Sequence, residues 1–181
     1  SFPDALKANA VSDDLYTFMM ERLRNWYTDA GCDTLVFDAV LARQPARPLD
    51  FDFRIQAVQT FQGLPEAASL AAANKRIRNI LRKCDTAVPH TYRQDLLKEP
   101  AEQALASAVD ERAAVVKPLF EARDYATALC ELAALQAPVD RFFDEVMVMA
   151  DDTGLRDNRL ALLNTLSELF LQVADISVLQ A

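Results

Sequence analysis

The chain has 181 residues, 19 basic and 27 acidic side chains, and a formal net charge of -8. A single core of this size buries about 70% of the unfolded chain's surface, so one domain accounts for the length. The acidic balance argues against a generally basic nucleic-acid binder, although phosphates respond to local charge and a cationic patch on an acidic body remains open.

Three glycines in a chain rich in Ala and Leu favour helix. Ser12-Asp13-Asp14 reads as an N-terminal cap for a first helix with Leu15, Phe18, Met19, Leu23, Trp26 and Tyr27 at helical spacing, closed by Gly31. Gly31, Gly63 and Gly154 each punctuate the helical pattern, and a glycine just past a helix supplies the left-handed residue of a C-terminal cap. Asp33 caps a second helix carrying Leu35, Val36, Val40 and Leu41. Two prolines make 44–48 a loop, and Asp50 opens a third helix with Phe53, Ile55, Val58 and Phe61. A fourth helix is predicted from about Glu66 to Cys84. The segment 85–98 lacks periodicity and reads mainly as a loop. Pro100 suits the first turn of a fifth helix, which Pro118 should end or kink. Asp124 starts a sixth helix and Pro138 a seventh, and a last one runs from about Leu155 towards Val178. No segment alternates as a strand would, so the expectation is an all-α bundle of about seven to eight helices packed as one unit.

Chemistry-bearing motifs are few. Cys32, Cys84 and Cys130 are odd in number and widely spaced, and His90 is the one histidine. Neither a zinc site nor a disulfide framework is predicted; the thiols read as small apolar fillers suited to a reducing compartment. No signal peptide and no apolar run of about 18 residues is apparent, so a soluble cytoplasmic protein is expected. There is no glycine-rich phosphate loop and no nucleophile–base arrangement, so no catalytic residue is assigned.

The informative stretch is the fourth helix. Five of the nine residues from Lys75 to Lys83 are basic, and no acid lies between Glu66 and Asp85. At 100° per residue, Lys75, Arg76, Arg78, Asn79, Arg82 and Lys83 fall on an arc of roughly 160°, opposite Leu70, Ala73, Ile77, Ile80 and Leu81. Like charges at this spacing repel by about a few tenths of a kcal/mol per pair, a cost that a phosphate backbone would offset. Asn74, at the edge of the apolar side, is expected to bond a neighbouring segment.

This helix resembles the Asn-Lys-Arg stretch of the bacterial glycyl-tRNA synthetase beta-subunit family. Further matches follow in order: Ala137-Pro138-Val139-Asp140-Arg141-Phe142-Phe143-Asp144-Glu145-Val146-Met147-Val148-Met149, Leu155-Arg156-Asp157-Asn158-Arg159-Leu160-Ala161-Leu162-Leu163, and Val173-Ala174-Asp175-Ile176-Ser177-Val178-Leu179-Gln180. The resemblance implies a single anticodon-binding domain of the DALR type over residues 1–181, excised from the C-terminal part of a larger beta subunit. The literal four-letter motif is absent. It implies that the whole enzyme attaches glycine to its tRNA using ATP and magnesium, while this domain binds RNA without catalysing and holds no cofactor or metal of its own. The implied partners are glycine tRNA, the rest of the beta subunit and the alpha subunit, with no membrane and no DNA. Lys75, Arg76, Arg78, Arg82 and Lys83 become candidates for phosphate contact, and Asn79 for reading a base edge. Tyr92 and Arg93, with His90, suit stacking against unpaired bases, or equally belong to a partly packed surface loop. Asp140, Asp144 and Glu145 lack a metal-ligand partner set; Asp140 reads as a first-turn acid, and Phe142, Phe143, Val146 and Met147 as core or interdomain contact. The alternative to RNA reading is a helical scaffold that binds a protein partner. Arg78→Ala is expected to weaken RNA binding with little loss of stability.

Overall fold

The computed structural model describes residues 2–84 and 88–180, with side chains from residue 15 onward in the first of these segments. Eight α-helices and two short 3-10 turns make up the described architecture: α1 (Phe2–Asp29), α2 (Thr34–Leu41), α3 (Pro48–Gln62), α4 (Ala67–Arg82), a turn at Gln94–Leu96, α5 (Pro100–Ala122), α6 (Tyr125–Ala133), α7 (Gln136–Glu145), α8 (Thr153–Leu171) and a turn at Ile176–Leu179. The expected all-α bundle is what the chain forms.

The packing follows the apolar stripes. Helix α6 lies between α3 and α5, α7 packs on α4 and α5, and α8 packs against α4 and α5. Phe37, Phe51, Phe61, Phe142 and Phe170 are fully buried. Tyr27, Phe37 and Phe51 form a ring cluster with centroids 5.1–5.9 Å apart, joining the first three helices. Beyond α8 the chain doubles back, and its 3-10 turn seats against α2 and α4. The Asp175 amide donates to the Ala39 carbonyl at 2.9 Å, and the Gln180 side chain to the Ala68 carbonyl at 2.9 Å.

Caps set most boundaries. Asp33, Asp124 and Asp152 each accept a backbone N–H in the first turn of the helix that follows. Helix α5 starts with Pro100 at its first position and a reciprocal box between Glu99 and Glu102.

Several expectations are corrected. Helix α1 begins at Phe2, so Ser12-Asp13-Asp14 lies inside it; the Ala- and Leu-containing residues upstream carry no breaker, and Pro3 is tolerated in a first turn. Helix α3 begins at Pro48 rather than Asp50, and its buried aromatic near the start is Phe51, while Phe53 is exposed. Pro118 does not end α5, which runs on to Ala122. Pro118 and Ala114 are both exposed, so water can replace the helical bond that the proline removes. Only Gly31 adopts the left-handed cap, at φ 88°; Gly63 is right-handed, Gly154 lies within the first turn of α8, and the cap after α5 falls to Arg123 at φ 59°. Helix α8 stops at Leu171 rather than continuing towards Val178, because Arg54 on α3 takes the carbonyls of Gln172 and Val173 at 2.7 and 2.6 Å and Asp175 caps a separate turn. Cys32 is buried as a filler should be, but Cys130 is exposed.

Helix α1 carries two apolar stripes. Tyr16, Met20, Leu23 and Tyr27 face the core, whereas Leu15, Phe18, Met19 and Trp26 face outward.

Candidate nucleic-acid interface

Helix α4 buries Leu70, Ala73, Asn74 and Ile77 and turns its cations outward, as the wheel requires. The cations do not act as one set. Lys75 donates to the Gln180 carbonyl at 3.0 Å. The Arg76 guanidinium lies over the Phe143 ring, 4.2 Å from its centroid, which joins α4 to α7. Arg78 forms an ion pair with Asp175 and reaches Ser177 Oγ at 3.3 Å. Asn79, Arg82 and Lys83 are exposed and make no hydrogen bond or ion pair with the described residues. Of these cations only Arg78 is neutralised by a carboxylate; Lys75 and Arg76 keep their charge on neutral partners, and the cations with no partner among the described residues, Arg82 and Lys83, lie at the C-terminal end of α4.

Asn74 is buried as expected, but its amide donates to the Leu70 carbonyl of its own helix at 3.0 Å, not to a neighbouring segment. Its side chain borders a cleft of about 400 Å³ between α4 and α8 that Ala42 and Arg43, after α2, also line. Arg43, Arg78 and Arg82 line this cleft together with Asn74, Asn164 and Ser167. Asp175 stands at its wall, one carboxylate oxygen on Arg78 and the other accepting from the Ser177 amide at 3.2 Å and hydroxyl at 2.5 Å. Sequence reasoning missed Arg43, Asn164, Ser167 and the role of Asp175. One signal was present: residues 164, 167 and 171 share a face beside the apolar stripe of α8, and two of the three are polar.

The loop after α4 is placed elsewhere, and its residues 85–87 lie outside the described ones. Tyr92 packs on α5, where its hydroxyl donates to Asp110 at 2.5 Å; burial, then the bond and charge of that carboxylate, hold the hydroxyl above its ordinary pKa. Arg93 is exposed but paired with Asp95 at 2.6 Å, which raises its pKa further. Its backbone is clamped by Asn158 on α8, which accepts from the Arg93 amide at 2.6 Å and donates to its carbonyl at 3.1 Å. His90 is exposed. Of the two readings of this loop, the contacts of Tyr92 favour the packed surface loop.

Two acids of α7, Asp140 and Glu145, serve as ties, while Asp144 is exposed. Asp140 lies beyond the first turn, contrary to expectation, and accepts from Ser69 at 2.7 Å and Gln136 at 2.5 Å, linking α7 to α4. Arg141 and Glu145 pair along the helix at 2.9 Å. Phe142 and Val146 are core, while Met147 is 74% exposed. Among the described residues, no group of three or more His, Cys, Asp or Glu side chains is placed to hold a metal. The Leu155–Leu160 match contains a buried device as well: Arg159 pairs with the buried Glu102 and donates to the Met147 carbonyl at 2.8 Å.

The described residues form an all-helical body with a cationic helix end beside a cleft between α4 and α8. The sequence model described as the DALR anticodon binding domain matches residues 70–179, which include α4 from Leu70, the whole of α8 and the terminal turn. The chain belongs to this family. It is 54% identical over 179 residues to the glycine–tRNA ligase beta subunit of Aeromonas salmonicida, covering 99% of this chain and 26% of that one. The corresponding protein of Aeromonas hydrophila gives the same figures, and that of Shewanella amazonensis is 55% identical over 174 residues, or 96% of this chain. The chain thus spans about a quarter of the length of the curated relatives it matches.

Proposed function

We propose that this domain recognises the anticodon of glycine tRNA within a glycine–tRNA ligase, binding RNA while the chemistry takes place elsewhere in the enzyme. The observation that carries the reading is the uncompensated end of α4, Asn79, Arg82 and Lys83, beside the cleft shared with α8. Free cations supply sequence-independent attraction to phosphates, and a neighbouring pocket of amides and hydroxyls supplies the means to tell bases apart. Lys75, Arg76 and Arg78 shape this surface from the side of the body. Arg93, exposed and paired only with an exposed carboxylate, can exchange that partner for a phosphate, whereas Tyr92 supports the loop. ATP and magnesium would serve the remainder of the enzyme, in the cytoplasm. No described helix is long and apolar enough to cross a membrane.

A contact role accompanies this reading. The outward stripe of Leu15, Phe18, Met19 and Trp26 favours a protein neighbour on α1, such as the remainder of the beta subunit or the alpha subunit. The two roles use different surfaces.

The test is binding of the full-length chain, assembled with its alpha subunit, to glycine tRNA and to a variant with both anticodon cytosines replaced, at one stated salt concentration. Weaker binding of the variant supports anticodon reading. Equal binding of the two would reduce the surface to phosphate attraction, and no dependence on RNA at all would leave the scaffold role.

A further inference from the structure

We propose that the cleft between α4 and α8 is a nucleobase pocket that seats one unstacked base of the bound RNA, with Asn164 and Ser167 reading its edge and Arg43 and Arg82 holding its phosphate at the rim. The inference rests on the RNA-binding reading above and narrows it to a subsite. Elsewhere α8 meets the bundle through buried Leu and Phe side chains and through Asn158 and Arg159, whose polar groups are satisfied by Arg93, Glu102 and Met147. At the cleft it instead presents Asn164 and Ser167, one turn apart and half-buried, with no hydrogen bond to the described residues. Asn74, which also lines the cleft, spends an amide hydrogen on the Leu70 carbonyl of its own helix. Half-buried amides without partners are what a polar ligand satisfies.

The charge distribution says what kind of ligand. A simple anion deep in the cleft would meet Asp175, whose carboxylate already neutralises Arg78. A metal ion would meet three arginines. A neutral polar ring whose anionic attachment stays at the rim meets neither objection. Leu81, Leu171 and Ala42 supply apolar wall for its faces, and the volume of about 400 Å³ accommodates a base with part of its sugar. Arg43 and Arg82, exposed and without a partner among the described residues, sit where the phosphate would emerge.

The experiment uses the full-length chain and a set of anticodon stem-loop RNAs, each substituted at one anticodon position. The expected result is that Asn164→Leu abolishes discrimination at one position, where the unaltered chain prefers one base by about tenfold or more. Ser167→Leu, which fills the cleft, should do the same with its melting temperature retained. Arg82→Ala should weaken all RNAs alike. Full discrimination at every position in both Asn164→Leu and Ser167→Leu, with Arg82→Ala still weakening binding, would overturn the pocket and leave the RNA-binding reading standing. Indifference of RNA binding to Arg82→Ala and Lys83→Ala as well would overturn both.

Discussion

Arg78 on α4 and Asp175, 97 residues further along the chain, form an ion pair that locks the terminal turn onto the basic helix. Asp175 is nearly buried, Arg78 is 61% exposed in its side chain, and Ser177 completes the cluster. The most central cation of the helix is thus committed to the fold. Arg78→Ala should destabilise the domain by about 1 kcal/mol, since it strips a largely buried carboxylate of its charged partner but leaves the Ser177 bonds. Arg82→Ala and Lys83→Ala should leave stability within about 0.5 kcal/mol. Denaturant titration of the three variants checks the contrast. That contrast decides the sequence-based expectation that Arg78→Ala costs little stability.

Glu102 is the most deeply buried acid among the described residues. One carboxylate oxygen accepts from the Lys98 and Glu99 amides at 2.7 and 2.8 Å, and the other pairs with Arg159, itself 6% exposed. Glu102→Ala removes a helix cap and leaves a buried guanidinium unpaired, so a loss of about 3–5 kcal/mol is expected. Glu102→Gln should recover part of it by keeping acceptor geometry. Thermal melts of the two variants give the ordering directly.

Acid should weaken the joint between α3, α6 and the end of α8. Burial alone would raise the Asp50 carboxyl, but hydrogen bonds from Arg54 and Tyr125 and the charges of Arg54 and Arg123 outweigh it and hold the group below its ordinary value. A depressed carboxylate contributes stability that is complete above the unfolded pKa, about 3.9, and is lost as pH falls through the lower folded value. Stability measured from pH 6 downward should therefore fall below about pH 4, and Asp50→Asn should make that limb shallower while lowering stability at neutral pH.

The salt dependence of RNA binding reports the number of phosphates engaged. Each of Arg82→Ala and Lys83→Ala should reduce the slope of log K against log salt by about 0.7–1, whereas Arg78→Ala should change it less, because that guanidinium is already paired with the Asp175 carboxylate.

Much of the bundle was legible because local signals agreed with the packing. Asp33, Pro100 and Asp124 announce their helices, and the apolar spacing of α4 separates its buried from its exposed side. What escaped were boundaries decided by distant partners. Nothing near Leu171 announces that Arg54, more than a hundred residues earlier, will take the carbonyls at the end of α8. The candidate site was half visible for the same reason. A run of cations shows in one dimension, but which of them are spent on Gln180, Phe143 and Asp175 depends on the fold. The cleft is less visible still, since Arg43, Asn74 and Asn164 come from three helices or their ends and meet only in the tertiary structure.

If the free end of α4 is the RNA-facing surface, reversing its charge must repel the RNA. The most direct measurement is the affinity of the full-length chain for a glycine-tRNA anticodon stem-loop before and after the double charge reversal Arg82→Glu and Lys83→Glu, with unchanged melting temperature as the folding control. The expected result is a loss of about a hundredfold or more at low salt, shrinking as salt rises. Retention of the original affinity and salt slope by a folded variant would contradict it and place the RNA on another face of the domain.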